Sequence, residues 1–338
     1  MTTSAPVPIR TLARKARNTL VRSGWIASRP TCLNVFTTDR CNFSCFYCSR
    51  NLDDDATGVE NRYHDKSEFH LADLEFLLDK YPTINHVSFV GIGEPFLIKD
   101  LIPMAEFAKQ RHKYVSVITN GSLLHRHWGK IGPLFDSISI SLHGLTPEEL
   151  KKIANVRSPV FNQLIENVRY LIRQELQLNT SMEVRSSVVF LKENLQRLEE
   201  AAIFCEQNLI PELDVQNYLP YGLDDSEKCL FDDDAEYIDA LEQIILQFKG
   251  RVKINAPVLI KRRLADLNWG CMSFFNTLRV DGLGHVSGCC RVMLPLEQNG
   301  DFREEPDVWE NNYFADFRER FHFRRDLPDC CRYCPEAQ

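Results

Sequence analysis

The sequence predicts an α/β protein built around a parallel sheet, followed by a small cysteine-rich subdomain. Three observations carry that reading. Short apolar runs at 33–36, 86–90, 114–118, 137–142, 183–190 and 212–218 alternate with longer segments of helical periodicity, the pattern of strands joined by right-handed crossovers. The polar motifs of the first half fall directly after these runs, so they collect at one end of the sheet. The twelve cysteines are clustered, with three between 41 and 48 and six from Cys271 onward. Periodicity leaves open whether the sheet is flat or curled into a barrel.

Taken in order, residues 1–30 hold Arg10, Arg14, Lys15, Arg17, Arg22 and Arg29 and no acidic residue. Ile9, Leu12, Ala13, Ala16 and Leu20 recur at helical spacing, so a short basic amphipathic helix capping the main domain is expected. Contact with an anionic membrane surface and a targeting role are the alternatives. The loop 49–70, with Asp53, Asp54 and Asp55, is long for a βα connection and reads equally as a lid or a solvated excursion. Helices are expected over 71–80, 100–111, 123–130, 147–155, 160–175, 194–208 and 233–249, and over 308–321 in the tail. The best-marked start is Thr146-Pro147-Glu148-Glu149, with an N-cap threonine, a proline at the first helical position and a glutamate placed for a capping box. Residues 250–270 bridge to the tail. A boundary near 255 divides the chain into the N-terminal helix (1–30), a main domain (31–255) and a tail domain (256–338).

Bulk properties narrow the function classes. A chain of 338 residues with 44% hydrophobic and 26% charged content has the makings of a large soluble core. A net charge of −7 argues against a nucleic-acid scaffold. No apolar run approaches the ~20 residues of a membrane span, so a cytoplasmic setting is expected. In a reducing compartment, clustered cysteines point to metal rather than to disulfides. Cys32, Cys205 and Cys229 stand apart, in or near apolar segments, and read as structural thiols.

Cys41, Cys45 and Cys48 form C-x3-C-x2-C on the loop after the first strand. Structural zinc usually takes four ligands, whereas three thiolates can hold a [4Fe–4S] cluster and leave one iron open. One strand later the chain reads Gly91-Ile92-Gly93-Glu94-Pro95, where glycine permits close approach and the carboxylate can accept from an ammonium group. The third strand ends in Thr119-Asn120-Gly121 and the fourth in Ser141-Leu142-His143-Gly144. Arg185 on the fifth strand has the charge and reach to meet a carboxylate. His143 and Tyr218 lie at the same end as these tips and are candidate catalytic residues able to touch substrate or move a proton. In the tail, Asp281-Gly282-Leu283-Gly284 reads as a hairpin turn between Cys271 and Cys289, and Cys331-x2-Cys334 closes the set. By spacing alone these four thiols suit zinc and an iron–sulfur cluster equally, and Cys290 or Cys330 could replace its neighbour.

The C-x3-C-x2-C loop, with an aromatic residue before its third cysteine, resembles the radical S-adenosylmethionine (SAM) enzymes. Gly93-Glu94-Pro95 is similar to their G-G-E-P motif, with Ile92 where many members have glycine. The tail is similar to the shortened SPASM, or twitch, extension, and its spacing resembles that of a butirosin-pathway amino-cyclitol dehydrogenase. The resemblance implies a partial (β/α)6 TIM-like barrel with a C-terminal twitch-type subdomain. It implies a SAM-binding [4Fe–4S] cluster on Cys41, Cys45 and Cys48 and a second, auxiliary cluster on Cys271, Cys289, Cys331 and Cys334. It also implies SAM contacts from Tyr47, Gly93, Glu94, Pro95, Asn120, Ser141 and Arg185. The expected activity is reductive cleavage of SAM to a 5′-deoxyadenosyl radical, which takes hydrogen from a sugar, polyol or cyclitol in a net oxidation. Peptide modification is the alternative, and a non-catalytic iron–sulfur or zinc protein a more distant one. An external flavodoxin- or ferredoxin-like reductant is an expected partner. About thirty residues precede the first strand, too few for a peptide-recognition domain, which favours a small-molecule substrate.

Overall fold

The computed structural model describes residues 20, 28–46, 48, 67–192, 195–218, 223–263, 267, 271–289 and 296–337. The expected N-terminal helix and the lid loop fall almost entirely outside them, as do Tyr47 and Cys290.

The six expected strands form within a residue of their anticipated bounds: β1 (Cys32–Phe36), β2 (His86–Val90), β3 (Tyr114–Thr119), β4 (Ser137–Ser141), β5 (Glu183–Phe190) and β6 (Glu212–Asn217). They pair in parallel and in sequence order, each joined to the next by a helical crossover. Alternation fixes which side chains face which way. Leu33, Val35, Val87, Phe89, Val115, Val117, Ile138 and Ile140 are buried under the helices. The intervening residues are polar and form the inner face of a partial TIM-like barrel.

The helices follow from their apolar spacing. In α1 (Leu71–Lys80), Leu74, Leu77 and Leu78 recur at three and four residues and are all buried. The helix α2 (Leu101–Gln110) buries Leu101, Ile102, Met104, Ala105 and Ala108. The expected helix over 123–130 does not form. A 3-10 turn (Leu124–His127) stands there instead, and Gly129, at φ +81°, separates it from the short α3 (Ile131–Leu134). The marked start at Thr146 holds: its side chain accepts from the Glu149 amide at 3.2 Å and opens α4 (Pro147–Ala154). Next comes α5 (Ser158–Tyr170), which runs into a π-helical turn (Leu171–Glu175). That turn aims the fully buried Glu175 carboxylate back at the Gly129 and Gly132 amides, at 2.8 Å for Gly132, satisfying donors at the start of α3. Farther on lie α6 (Leu195–Gln207) and α7 (Ala235–Gln247).

Beyond β6 the sequence reading missed a strand. β7 (Lys253–Asn255) has three residues, too short to show alternation, and adds in parallel to β6. The tail then returns to the opposite edge. After α8 (Ser273–Asn276), β8 (Thr277–Val280) pairs in parallel with β1. β9 (His285–Ser287) and β10 (Leu296–Asp301) follow antiparallel, completing the order β10-β9-β8-β1-β2-β3-β4-β5-β6-β7. The expected turn joins β8 to β9: Asp281 Oδ1 accepts from the Leu283 and His285 amides at 2.9 and 3.0 Å, and Gly284 takes φ +98°, a conformation that favours glycine. The boundary near 255 falls directly after β7, yet one hydrogen-bonded sheet crosses it. The last long helix, α9 (Asn312–Phe323), packs Phe317 flat on Phe274 at 4.4 Å and encloses the fully buried Trp309.

Candidate active site at the C-terminal ends of the strands

The loop after β1 carries Cys41, Cys45 and Cys48. Its backbone is tied down on two sides: the Ser44 and Phe46 amides donate to the Ala154 and Ile153 carbonyls of α4 at 2.9 and 3.1 Å. On the other side, the Gly93 and Glu94 amides donate to the Thr38 and Arg40 carbonyls at 3.1 and 2.9 Å. A Cβ at Gly93 would run into those two carbonyl oxygens, so only glycine lets the two motifs meet.

Cys45 is buried, and its thiol is pushed up to about 12, first by burial and then by the charges of Cys48 and Cys41. No three His, Cys, Asp or Glu side chains among the described residues are gathered tightly enough to hold a single metal ion. Three thiolates on one loop fit a [4Fe–4S] cluster with one open iron better than a lone tetrahedral ion, which needs four ligands close together.

Glu94 is almost wholly buried, with 2% exposure. One carboxylate oxygen accepts from the Thr119 hydroxyl at 2.7 Å and the Phe96 amide at 3.1 Å, the other from the Asn120 amide at 2.8 Å. Burial raises its pKa, and the three donors oppose that shift. A carboxylate has about four lone-pair sites, so roughly one remains for a ligand. Asn120 continues the network: its Nδ2 donates to Asn42 Oδ1 at 2.9 Å and lies 3.9 Å from Cys41 Sγ, while its Oδ1 accepts from the Ser122 hydroxyl at 2.6 Å. Asn167 on α5 holds this turn from behind, donating to the Gly121 and Ser122 carbonyls at 2.9 Å each. Asn42, Thr119, Ser122 and Asn167 escaped the sequence reading as members of this network. The adjacent motifs were the only signal for them.

The structure brings Cys41, Cys45, Cys48, Gly93, Glu94, Pro95 and Asn120 together, with Ser141 at the tip of β4. Arg185 stands lower: it faces Ser139 in register, two residues short of Ser141, and is ion-paired with Glu183 and with Asp214 at 3.5 Å. His143 packs edge-on against Phe43 of the cysteine loop at 5.9 Å, and burial pushes its pKa down to about 4, leaving it neutral at physiological pH. Tyr218, just past β6, packs on the satellite cluster of Cys229, Phe231, Ile260 and Tyr333. Because Tyr333 lies between Cys331 and Cys334, that cluster ties the closing cysteine pair to the barrel. Asn217 is a staple, with Nδ2 on the Leu230 and Val258 carbonyls and Oδ1 taking the Leu230 amide.

Of the apparently structural thiols, Cys205 and Cys229 are fully buried. Cys32 lies on the polar inner face, 3.3 Å from Asn34 Oδ1 and 3.7 Å from His86 Nδ1, with burial pushing its pKa up to about 11. In the tail, Cys271 and Cys331 are buried, while Cys289 and Cys334 are partly exposed. The Cys330 side chain lies outside the described features.

Residues 35–205 match the model of the radical SAM superfamily. The chain belongs to the radical SAM superfamily. As a radical SAM enzyme it uses a [4Fe–4S] cluster and SAM. Among its relatives is a probable GTP 3′,8-cyclase of Saccharolobus solfataricus, 31% identical over 300 residues that cover 85% of this chain and 89% of that protein. A second, from Sulfurisphaera tokodaii, is 26% identical over 226 residues, 66% of each chain. In fold it is similar to Streptococcus suis SuiB bound to SAM, with TM-score 0.63 and 16% identity over 99% of this chain and 78% of that one. It is also similar to anSMEcpe with bound SAM, with TM-score 0.58 and 17% identity over 90% of this chain and 87% of that one. Among the described residues, no helix is long and apolar enough to cross a membrane.

Proposed function

We propose that this radical SAM enzyme oxidises a small sugar-, polyol- or cyclitol-like substrate at a hydroxyl-bearing carbon, in a biosynthetic setting. In this reading Cys41, Cys45 and Cys48 hold the first cluster, and Gly93, Glu94, Pro95, Asn120 and Ser141 hold SAM beside it. Cys271, Cys289, Cys331 and Cys334 hold a second cluster. Bound together, the first cluster and SAM supply a 5′-deoxyadenosyl radical that can remove hydrogen from an unactivated C–H bond.

The observation that carries the substrate class is the inner face of the barrel. Ser88, Ser116, Ser139, Ser141 and Ser187 line it on adjacent strands, with Ser116 and Ser88 in hydrogen bond at 2.9 Å. On β5 to β7 the same face carries the Arg185–Asp214 and Lys253–Glu212 ion pairs, the latter at 2.8 Å, level in register with Ser139 and Ser187. Such a wall offers hydroxyl and charged partners to a polyhydroxylated molecule. Ile118 and Val189, 46% and 53% exposed, add two apolar contacts on the same face. Neutral His143 can accept a hydrogen bond near the strand tips.

A second reading is favoured by the relatives, whose name puts their chemistry on GTP. A nucleotide carries a ribose, so the same polar wall suits it. One experiment separates the two: anaerobic incubation of the reconstituted enzyme with SAM and a reductant against polyols, amino-cyclitols and GTP, reading 5′-deoxyadenosine and product mass. A product two hydrogens lighter than a polyol supports oxidation, and an unchanged-mass product from GTP supports cyclisation. Substrate-independent cleavage of SAM with no product from either class rejects both.

A further inference from the structure

We propose that Arg279 is the counter-charge of the tail cysteine set and that it raises the reduction potential of the cluster held there. This rests on the reading of Cys271, Cys289, Cys331 and Cys334 as cluster ligands. Arg279 is the third residue of β8, opposite Asn34 of β1, and is only 7% exposed. Its Nη1 donates to the carbonyl of Gly288 at 2.6 Å, the residue immediately before Cys289. Arg279 thus sits on the one strand that links Cys271 to Cys289, with its guanidinium bound beside the second of them.

What it lacks is equally informative. Its Nε is buried with no hydrogen-bond acceptor, and no carboxylate lies within ion-pair distance of it among the described residues. Other part-buried arginines differ: Arg185 has Glu183 and Asp214, and Arg318 has Glu310. A guanidinium removed from water without an anion is costly, so a folded chain that keeps one there has an anion to place beside it. A cluster held by four thiolates is such an anion. One-electron reduction makes it one unit more negative. A fixed cation in a site removed from water therefore favours the reduced form, and the net charge around a cluster is one of the levers on its potential. The same charge makes the tail a better electron acceptor.

The test uses the full chain with Cys41, Cys45 and Cys48 changed to Ala, so that only the tail cluster contributes to the spectrum. Iron and sulfide are quantified, and the midpoint potential is read by an EPR-monitored titration for Arg279, Arg279→Lys and Arg279→Gln. The Gln variant is expected to keep its iron and to shift the reduction equilibrium at least tenfold toward the oxidised form, 59 mV for a one-electron couple. The Lys variant should stay nearer the parent. A Gln variant that loses iron while Lys retains it also supports the charge role, at the stage of assembly. An intact cluster with a potential within twofold of the parent overturns the proposal, and so does equal loss of iron from both variants, which would assign Arg279 to packing. Unchanged potential with weakened binding of an anionic substrate would assign the guanidinium to that substrate instead. If the triple-cysteine background holds no iron before Arg279 is touched, the tail-cluster reading fails first, and the two failures are distinct.

Discussion

Glu94→Gln separates two roles that the structure superimposes on one carboxylate. The buried group already takes the Thr119 hydroxyl and the Phe96 and Asn120 amides. The amide isostere keeps one carbonyl oxygen and replaces the other with a donor. If the oxygen stays with Thr119 and Phe96, the new NH2 faces the Asn120 amide and leaves it unpaired. An unsatisfied buried donor costs about 1–3 kcal/mol. Against this, a carboxylate whose pKa burial has raised is itself a liability when ionised, and glutamine removes that liability. The unpaired amide wins because it combines a lost charge-assisted bond with a donor–donor contact, so a net destabilisation of about 1–3 kcal/mol is expected in denaturant unfolding of the iron-free chain. If the remaining lone-pair site also takes the SAM ammonium, affinity falls as well. Loss of a charge-assisted bond of ~1.5–3 kcal/mol is roughly tenfold to a hundredfold in Kd by calorimetry. Lowered stability with parent-like SAM affinity would reduce Glu94 to a clamp between the tips of β2 and β3. Unchanged stability would refute the burial argument itself.

Three further outcomes follow from named contacts. Changing Cys41, Cys45 and Cys48 together to Ala should remove about half the bound iron and all SAM cleavage, and zinc in place of iron at both sites would end the radical reading. Gly93→Ala forces a Cβ onto the Thr38 and Arg40 carbonyls. It should cost about 1–3 kcal/mol and lower first-cluster occupancy, read by iron content and thermal unfolding. His143, held down at about 4 by burial against an ordinary value near 6.5, binds fewer protons folded than unfolded. Its contribution is therefore full above about pH 6.5 and is lost as pH falls through about 4, a change of up to about 3 kcal/mol that the matched His143→Gln stability profile should lack.

The strands were legible because period-two alternation bounded by turn residues is a strong signal, and the cysteine loop because its spacing suits so few donor sets. What was hidden depended on neighbours from other strands. The charge and reach of Arg185 could be read, but only the register opposite Ser139 shows it below the tips, and only β6 supplies Asp214. The polar partners of Cys32 came partly from another strand, through His86, although its spacing of two from Asn34 already put those two on one face. Glu94 was found by its motif while its bonds to Thr119, Phe96 and Asn120 were not, since two of these residues sit at the end of β3 and just beyond it. Arg279 carried no motif at all. Its meaning arises from β8 pairing with β1 and from Gly288 curling back beside it.

That pairing also decides how the tail can be tested. β8 joins β1 through four parallel residue pairs, from Cys32 with Thr277 to Val35 with Val280. The first cysteine loop leaves the C-terminal end of β1, while β8 runs between Cys271 and Cys289, so the same ladder fixes both cysteine sets with respect to the sheet. Deleting the tail would strip β1 of one neighbour and expose its edge, a template for aggregation. A truncated chain that failed to turn over would thus report on the barrel as much as on electron transfer. Cys331→Ala with Cys334→Ala leaves β8 in place and is the sharper perturbation. If the second cluster accepts the electron left on the substrate, that variant should still cleave SAM and retain its first cluster, yet give no product two hydrogens lighter. Normal yield of the oxidised product would leave the tail cluster with only the holding of Tyr333 against Phe231 and Ile260 to account for it.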